Sequence, residues 1–430
     1  MQHSFSFFLF YFLHIFLFLF LSLHIAKKYV ITIIQNTYGP FVNSEFSIFC
    51  FVHLKNASMK KHRYTSHHHS KLHIAVIYSV PTSRMKHSSY AATDEDTASS
   101  ARQIHRVLHK KGYISTLHPI TTRTINEIQR IHADCIFNVI EWTGVDLKYS
   151  QRAFRILEKL EKSGTPFTGA SKQNYFMNAD KRVMKKIFNV EHIPTARWQS
   201  FETGNELIRK DFVFPVIVKP CLEHCSIGLT RSSVVYTANE LRDVIHRQIL
   251  SFKQPVFVEE FIDGREFHVT VLEKNGVPIV LPIAEIQFDV RGTDAFLTYD
   301  SRWDEKHPEY AQSRVVVAKL SAKLDTALCD VSTRAFSALK FRDYTRVDIR
   351  VRNNSEIFVL EANTNPGLGA DEDCALSTSF LAAGMTFADV VEYIVQSCMD
   401  RFLKQKKEKS TQKKNIPRSR RGAYLVQYVI

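Results

Sequence analysis

The 430-residue chain is 45% hydrophobic and 23% charged, with only 14 Gly and 13 Pro, which excludes a disordered, collagen-like or multi-span membrane protein. Its formal charge of +14 suggests a nucleic-acid binder until it is mapped: residues 1–70 carry a net +5 and residues 401–422 a net +9. The body between residues 71 and 400 is therefore neutral, and no specific nucleic-acid partner is expected.

Phe5 to Ala26 is a 22-residue run without Asp, Glu, Lys or Arg, followed by Lys27 and Lys28. By length it spans a bilayer, and the flanking lysines would leave the rest of the chain in the cytoplasm, tethered to the inner face of a membrane. The other reading is an upstream extension of the reading frame, with the functional protein starting near Met59. A cleaved signal peptide fits less well, for want of a basic leader and a small-x-small site. Residues 1–70 are thus a hydrophobic segment and linker. The seven cysteines, an odd number without a CxxC pair, indicate a reducing compartment and no disulfide framework.

From Lys71 the pattern alternates. Leu72–Val80 reads as a buried parallel strand, Asp94–Lys111 as a helix stopped by Gly112, and Tyr113–His118, Thr124–His132, Cys135–Ile140 and Tyr149–Ser163 as strand, helix, strand and helix. This predicts a doubly wound α/β domain over 71–165. A second unit, 166–261, holds strands around Phe214–Lys219 and Val256–Glu260. The third, 262–402, opens with strands Glu266–Leu272 and Pro278–Glu285 and closes with a hairpin and a helix, Thr386–Met399. The fold class is α/β, turning α+β in the C-terminal half. Residues 403–430 form a basic tail, solvated or, on the alternative reading, bound to anionic lipid or nucleic acid.

The richest segment is Tyr344–Leu368, YTRVDIRVRNNSEIFVLEANTNPGL, with a polar turn between two β-rich runs. A turn centred between Asn354 and Ser355 sets Asp348 opposite Glu361 and Arg346 opposite Asn363, all on one face, with Val347, Ile349, Leu360 and Phe358 on the other. Two carboxylates and an amide oxygen at one level suit Mg²⁺; a surface ladder of ion pairs explains the charges equally well, though not the Asn-Thr-Asn-Pro-Gly exit. Lys219 ends an apolar strand and precedes the loop CLEHCSIG, whose Ser226 and Gly228 would let backbone N–H groups approach phosphate. Asp180-Lys181 reads as a helix cap and first turn. Glu259 and Glu260 leave a β-run, and Glu266 follows a glycine turn. Arg302 lies in a loop.

In this order the segments resemble the ATP-grasp superfamily, most closely its D-alanine–D-alanine ligase branch, over roughly Leu72–Phe402. PFTG with Asp180-Lys181, VIVKP with its loop, VEEFIDGREF, FLTYDSRW and RVDIRV with LEANTNPGL carry the likeness. It implies a three-domain fold in which two α+β domains clasp ATP. Lys181, Lys219 and Ser226 would hold the phosphates, Glu259 the adenine and Glu266 the ribose, with the backbone of Phe261 and Ile262 lining the purine slot. Asp348, Glu361 and Asn363 would bind Mg²⁺ or Mn²⁺, Arg346 would stabilise an oxyanion, and Arg302 stands where a Lys near the transferred phosphate is usual. The implied substrates are ATP with amino acids, or a small carboxylate and an amine, and a homodimer is compatible with the family. The substrate side departs from the family: the Gly-rich turn with its gripping Glu is replaced by SVPTSRMKHSSYAATDED, where Asp94, Glu95 or Asp96 would substitute. His224 and Cys225 stand where Gly and Ser are usual, and GADEDCALSTS is an acidic insertion. A paralogous ligase is as compatible with this as the peptidoglycan enzyme, and a non-catalytic ATP-binding protein is the alternative.

Overall fold

The computed structural model describes residues 72–353, 355–370 and 374–414. The apolar run Phe5–Ala26, the candidate start at Met59, Asp371–Asp373 of the acidic insertion and the end of the basic tail lie outside them.

The first layer follows from unbroken apolar runs. β1 (His73–Ser79) is buried on both faces, as a central parallel strand must be. Around it come α1 (Ser83–Lys86), α2 (Ala92–Lys110), β2 (Ile114–Ile120), β3 (Cys135–Val139) and α3 (Leu147–Ser163), and the strands form a parallel sheet of order β2-β1-β3. Gly112, at φ +91°, ends α2 in a conformation other residues resist. The helix expected over 124–132 is a 3₁₀ turn, Ile125–Arg130. Only Ile125 and Ile128 are buried there, and a three-residue repeat sets those two on one line.

The second unit contains α4 (Lys172–Asn178), α5 (Lys181–Val190), β4 (Trp198–Phe201), β5 (Val216–Pro220), β6 (Val234–Val235), α6 (Ala238–Phe252) and β7 (Val256–Glu260). Its antiparallel sheet has the order β4-β7-β5-β6. Leu241, Val244 and Ile245 of α6 cover Val216, Val218, Val256 and Val258.

The third comprises β8 (Arg265–Lys274), β9 (Val277–Val280), β10 (Ala284–Phe288), α7 (Asp300–Trp303), β11 (Ser313–Val317), α8 (Ala322–Ala338), β12 (Tyr344–Arg352), β13 (Glu356–Asn363), α9 (Ala375–Ala382) and α10 (Phe387–Lys414). Its sheet runs β11-β10-β8-β12-β13, with β9 also on β8. The single strand expected over 278–285 is two, parted around Pro282, which has no N–H for the ladder. The closing helix extends past Met399 to Lys414, because the Lys, Gln and Glu residues of the basic segment are good helix formers. Among the described residues no single helix is long and apolar enough to cross a membrane.

Asp348 does pair with Glu361 and Arg346 with Asn363, as the turn spacing predicts. A bulge after Asp348 then shifts the register, so that Ile349 faces Val359 and Arg350 faces Phe358. The extra residue reverses the alternation on β13. Val359 and Ala362 join Val347 and Ile349 in the core, whereas Leu360, expected there, lines the cleft, and Phe358 stands opposite Arg350.

Candidate active site

A cleft opens between the second and third sheets. Lys219 and Glu259 enter it from β5 and β7; Glu266, His268, Asp348, Arg350 and Glu361 enter from β8, β12 and β13. Lys181, the loop 223–227 and Arg302 close one end.

Lys181 starts α5, whose N-cap Asp180 accepts from the Arg182 backbone N–H. That helix turns Lys181, Met184, Lys185 and Phe188 inward, one face at three- and four-residue spacing. The Lys181 ammonium donates to the Glu223 carbonyl at 2.6 Å and lies 3.2 Å from Glu361 Oε2. Glu259 is 2% exposed and sits between two lysines, Lys185 at 2.9 Å and Lys219 at 2.7 Å. Burial pushes its carboxyl up, but the two ammonium groups outweigh that and hold it at about 2. Lys185 also donates to Thr195 Oγ1 and the Val359 carbonyl, tying the two sheets together.

Glu266 is bound by Arg350 (2.6 Å) and His268 (3.2 Å). Burial raises its carboxyl, and the Arg350 guanidinium together with the His268 hydrogen bond brings it to about 2. Arg350 Nη1 also donates to the Ile262 carbonyl, and its guanidinium lies 5.4 Å from the Phe261 ring centre. Phe261, Phe296, Ile217 and Val234 form a small apolar cluster apart from the main cores. Phe261 and Phe296 meet edge to face at 5.8 Å, and with Ile217 and Ile262 they line the cleft as a slot fit for a flat ring.

Asp348 accepts two bonds from Arg346, at 2.6 and 2.9 Å, and one from Asn363 Nδ2 at 3.0 Å. Burial alone would raise both Asp348 and Glu361; Arg346 lowers the first, and Lys181 brings the second to about 2. Among the described residues no three His, Cys, Asp or Glu side chains converge in metal-ligand geometry. The expected set is instead two ionised carboxylates, Asp348 and Glu361, opposite each other on the hairpin, with Asn363 one level further along and its Nδ2 bonded to Asp348. Opposed like charges there are unfavourable unless countered, and an all-oxygen donor set of this charge fits a hard divalent cation.

The loop Cys221–Gly228 is strained: Cys225 and Ser226 lie at φ +57° and +61°, where side chains cost about 1–3 kcal/mol each. Ser226 Oγ donates to the Leu297 carbonyl and Trp303 Nε1 to the Cys225 carbonyl, holding the loop against α7 and Arg302. Glu223 accepts from Thr143 Oγ1 and Gln254 Nε2, both at 2.9 Å. A Cβ at Gly144, whose φ is +55°, would come within 1.9 Å of that carboxylate, so a side chain there would have to displace Glu223 from Thr143 and Gln254.

The structure therefore brings together Lys181, Lys219, Ser226, Glu259, Phe261, Ile262, Glu266, Arg302, Asp348 and Glu361 in one cleft, with Arg346 and Asn363 bonded to Asp348 at its edge. Of the three acids weighed for the substrate side, the Asp94 side chain is not described, Glu95 is exposed, and Asp96 stands beside Gly367 in the exit of β13. Arg302, Glu141, Asp96 and Arg346 all act electrostatically on Cys225. Lys185, His268, Arg350 and Glu141 are absent from the sequence-based set. Lys185 was signalled by its place four residues after Lys181 on the apolar face of α5.

The profile of the family described as D-ala D-ala ligase C-terminus matches residues 187–396. The uncharacterised protein y4sG of Sinorhizobium fredii is 32% identical over 268 residues, 62% of this chain and 75% of its own. The D-alanine–D-alanine ligase of Desulforudis audaxviator is 31% identical over 247 residues, 56% of this chain and 76% of its own. Among solved structures, D-alanine–D-alanine ligase from Bacillus anthracis complexed with ATP superimposes with a TM-score of 0.59 at 22% identity, covering 79% of this chain and 99% of that one.

Proposed function

The chain belongs to the D-alanine–D-alanine ligase family, with the ATP-grasp fold, and from that premise we propose that it joins two amino acids, or a small carboxylate and an amine, through an acyl phosphate made with ATP and Mg²⁺. The observation that carries this reading is the convergence of Lys181, Lys219, Arg302, Asp348 and Glu361 on one cleft that also offers an apolar slot.

Adenine enters the slot between Phe261, Ile262 and Phe296. Glu259 keeps lone pairs for its amino group beyond those its lysines use, and Glu266 does the same for the ribose hydroxyls. Lys181 and Lys219 take the phosphates, helped by the backbone of the Cys225–Ser226 turn, since the Ser226 hydroxyl is spent on Leu297. Asp348, Glu361 and Asn363 would hold the divalent cation, which when bound neutralises phosphate charge.

An oxygen of the substrate carboxylate attacks the terminal phosphorus while the bond to the bridging oxygen breaks and ADP leaves with its electron pair. The amine, in its neutral form, then attacks the acyl carbon, and phosphate departs with the former carboxylate oxygen and its electron pair and takes up the proton that the nitrogen loses. Arg302 steadies the transferred phosphoryl group. Arg346, clamped by Asp348, presents fixed positive charge to the oxyanion of the tetrahedral intermediate, where preorganised charge is most effective. Asp96 and Glu141 supply the negative charge that an amino-acid ammonium group needs. The reaction belongs in the cytoplasm, with its ATP pool.

An ATP-binding protein without turnover would have no use for a clamped arginine beside paired carboxylates. The test is an amino acid labelled with heavy oxygen in its carboxylate: one label per turnover is expected in the released phosphate. Turnover with all label retained in the product would contradict the acyl-phosphate route.

A further inference from the structure

The sequence resemblance leads one to expect glycine at position 224, where the chain has histidine. His224 lines the cleft beside Lys181, Cys225, Ser226 and Glu361. Its backbone is fixed on both sides: the Glu223 carbonyl accepts from Lys181, and the His224 carbonyl accepts from the Ile227 N–H at 3.0 Å. Its ring, by contrast, has no hydrogen-bond partner among the described residues, although the neighbouring polar side chains Lys181, Glu223, Ser226 and Glu259 all have one. The charges that act on the ring are Lys181 and Glu361, themselves 3.2 Å apart, so an imidazole without a partner stands beside the ground where phosphate and cation are expected to meet.

Resting on the ligase reading above, we propose that His224 is a further catalytic residue, whose ring N–H donates to a non-bridging oxygen of the terminal phosphate of ATP. Whether neutral or charged, the imidazole keeps at least one ring N–H to donate. No proton is exchanged. The carboxylate oxygen forms the new bond to phosphorus, the bridging oxygen leaves with ADP and its electron pair, and the His224 N–H remains bonded to the same phosphoryl oxygen throughout. The ring thus occupies space that glycine would leave for backbone approach, and replaces that approach with a side-chain donor.

The test compares ADP with the non-hydrolysable β,γ-imido analogue of ATP, each with Mg²⁺, binding calorimetrically to the full chain and to its His224→Ala and His224→Asn variants. A hydrogen bond to an ionised acceptor predicts that His224→Ala binds the analogue about tenfold more weakly while ADP affinity stays within about twofold. Asn, which carries an N–H donor, restores most of the difference, and also carries the comparison if the Ala variant melts early. Equal loss for both nucleotides, or loss for neither, overturns the proposal and leaves the ligase reading standing. Failure of the unaltered chain to bind either nucleotide overturns both.

Discussion

Glu259 shows how a buried charge serves a site without reaching the reacting atoms. Its carboxylate holds Lys185 and Lys219 at 2.9 and 2.7 Å, so Glu259→Gln strands two ammonium groups in the interior. Removing one member of a buried ion pair costs about 3–5 kcal/mol. Urea denaturation is expected to show a loss of that size, and the Lys185→Met/Glu259→Gln double variant to recover part of it, because the two sites are coupled. Acid acts on the same groups. Glu259 and Glu266 are both held at about 2 against an ordinary 4.5, so their contribution is complete above pH 4.5 and is lost as pH falls toward 2. Urea midpoints between those values are expected to drop steeply in the unaltered protein and less in a Glu266→Gln variant, measured against its own value at neutral pH.

Lys219, Glu259 and Glu266 were legible in the sequence because each stands at the end of an apolar run or just past a turn. Arg350 and His268 were not singled out, yet they continue the same strand alternation, two residues after Asp348 and Glu266. Lys185 was hidden for another reason: a lysine on a helix reads as solvated unless the apolar face is traced through it.

At the scale of elements, the β12–β13 hairpin carries the carboxylates proposed to hold the cation and the proposed oxyanion arginine. Its charged level, Asp348 with Glu361, was readable from turn position alone, since strand pairing counts residues symmetrically from the turn. The bulge was not, because nothing in Leu360 or Ile349 announces an extra residue, and so the apolar side of β13 was assigned to the wrong face. The structure separates two leucine-sized side chains that the simple register treats alike. Ile349→Ala, at a fully buried site, is expected to cost about 2–5 kcal/mol in thermal or urea unfolding. Leu360→Ala, which trims the cleft wall, should leave stability within about 1 kcal/mol and raise the KM for ATP. Equal destabilisation by both would show that the register does not shift.

At the scale of the whole molecule, three separate sheets were foreseeable from the alternation of strand and helix patterns, whereas the ties between them were not. Arg342 and Arg401 both bind Glu161 of α3, and Arg401 also reaches the fully buried Asp343. Glu161, the Arg342–Asp343 pair and Arg401 are far apart in the chain, and each alone reads as an ordinary surface charge. Together with the core that packs α2 against α9 and α10, they brace the N-terminal sheet against the sheet bearing Arg346 and Asp348. Such bracing matters because an oxyanion contact is effective only when its donor is held in place before the reaction.

The most direct measurement of the central claim is Mg²⁺-dependent ADP release by the purified protein, supplied with pooled D- and L-amino acids and dipeptides, beside the Glu361→Gln variant and ATP-induced thermal stabilisation. A site that uses Glu361 to hold the cation predicts ADP release that requires both Mg²⁺ and an amino-acid pool. Turnover is expected to fall by about 100-fold or more in the variant, which keeps its fold. Thermal stabilisation by ATP without ADP release in any pool, or unchanged release by the Glu361→Gln variant, would contradict it.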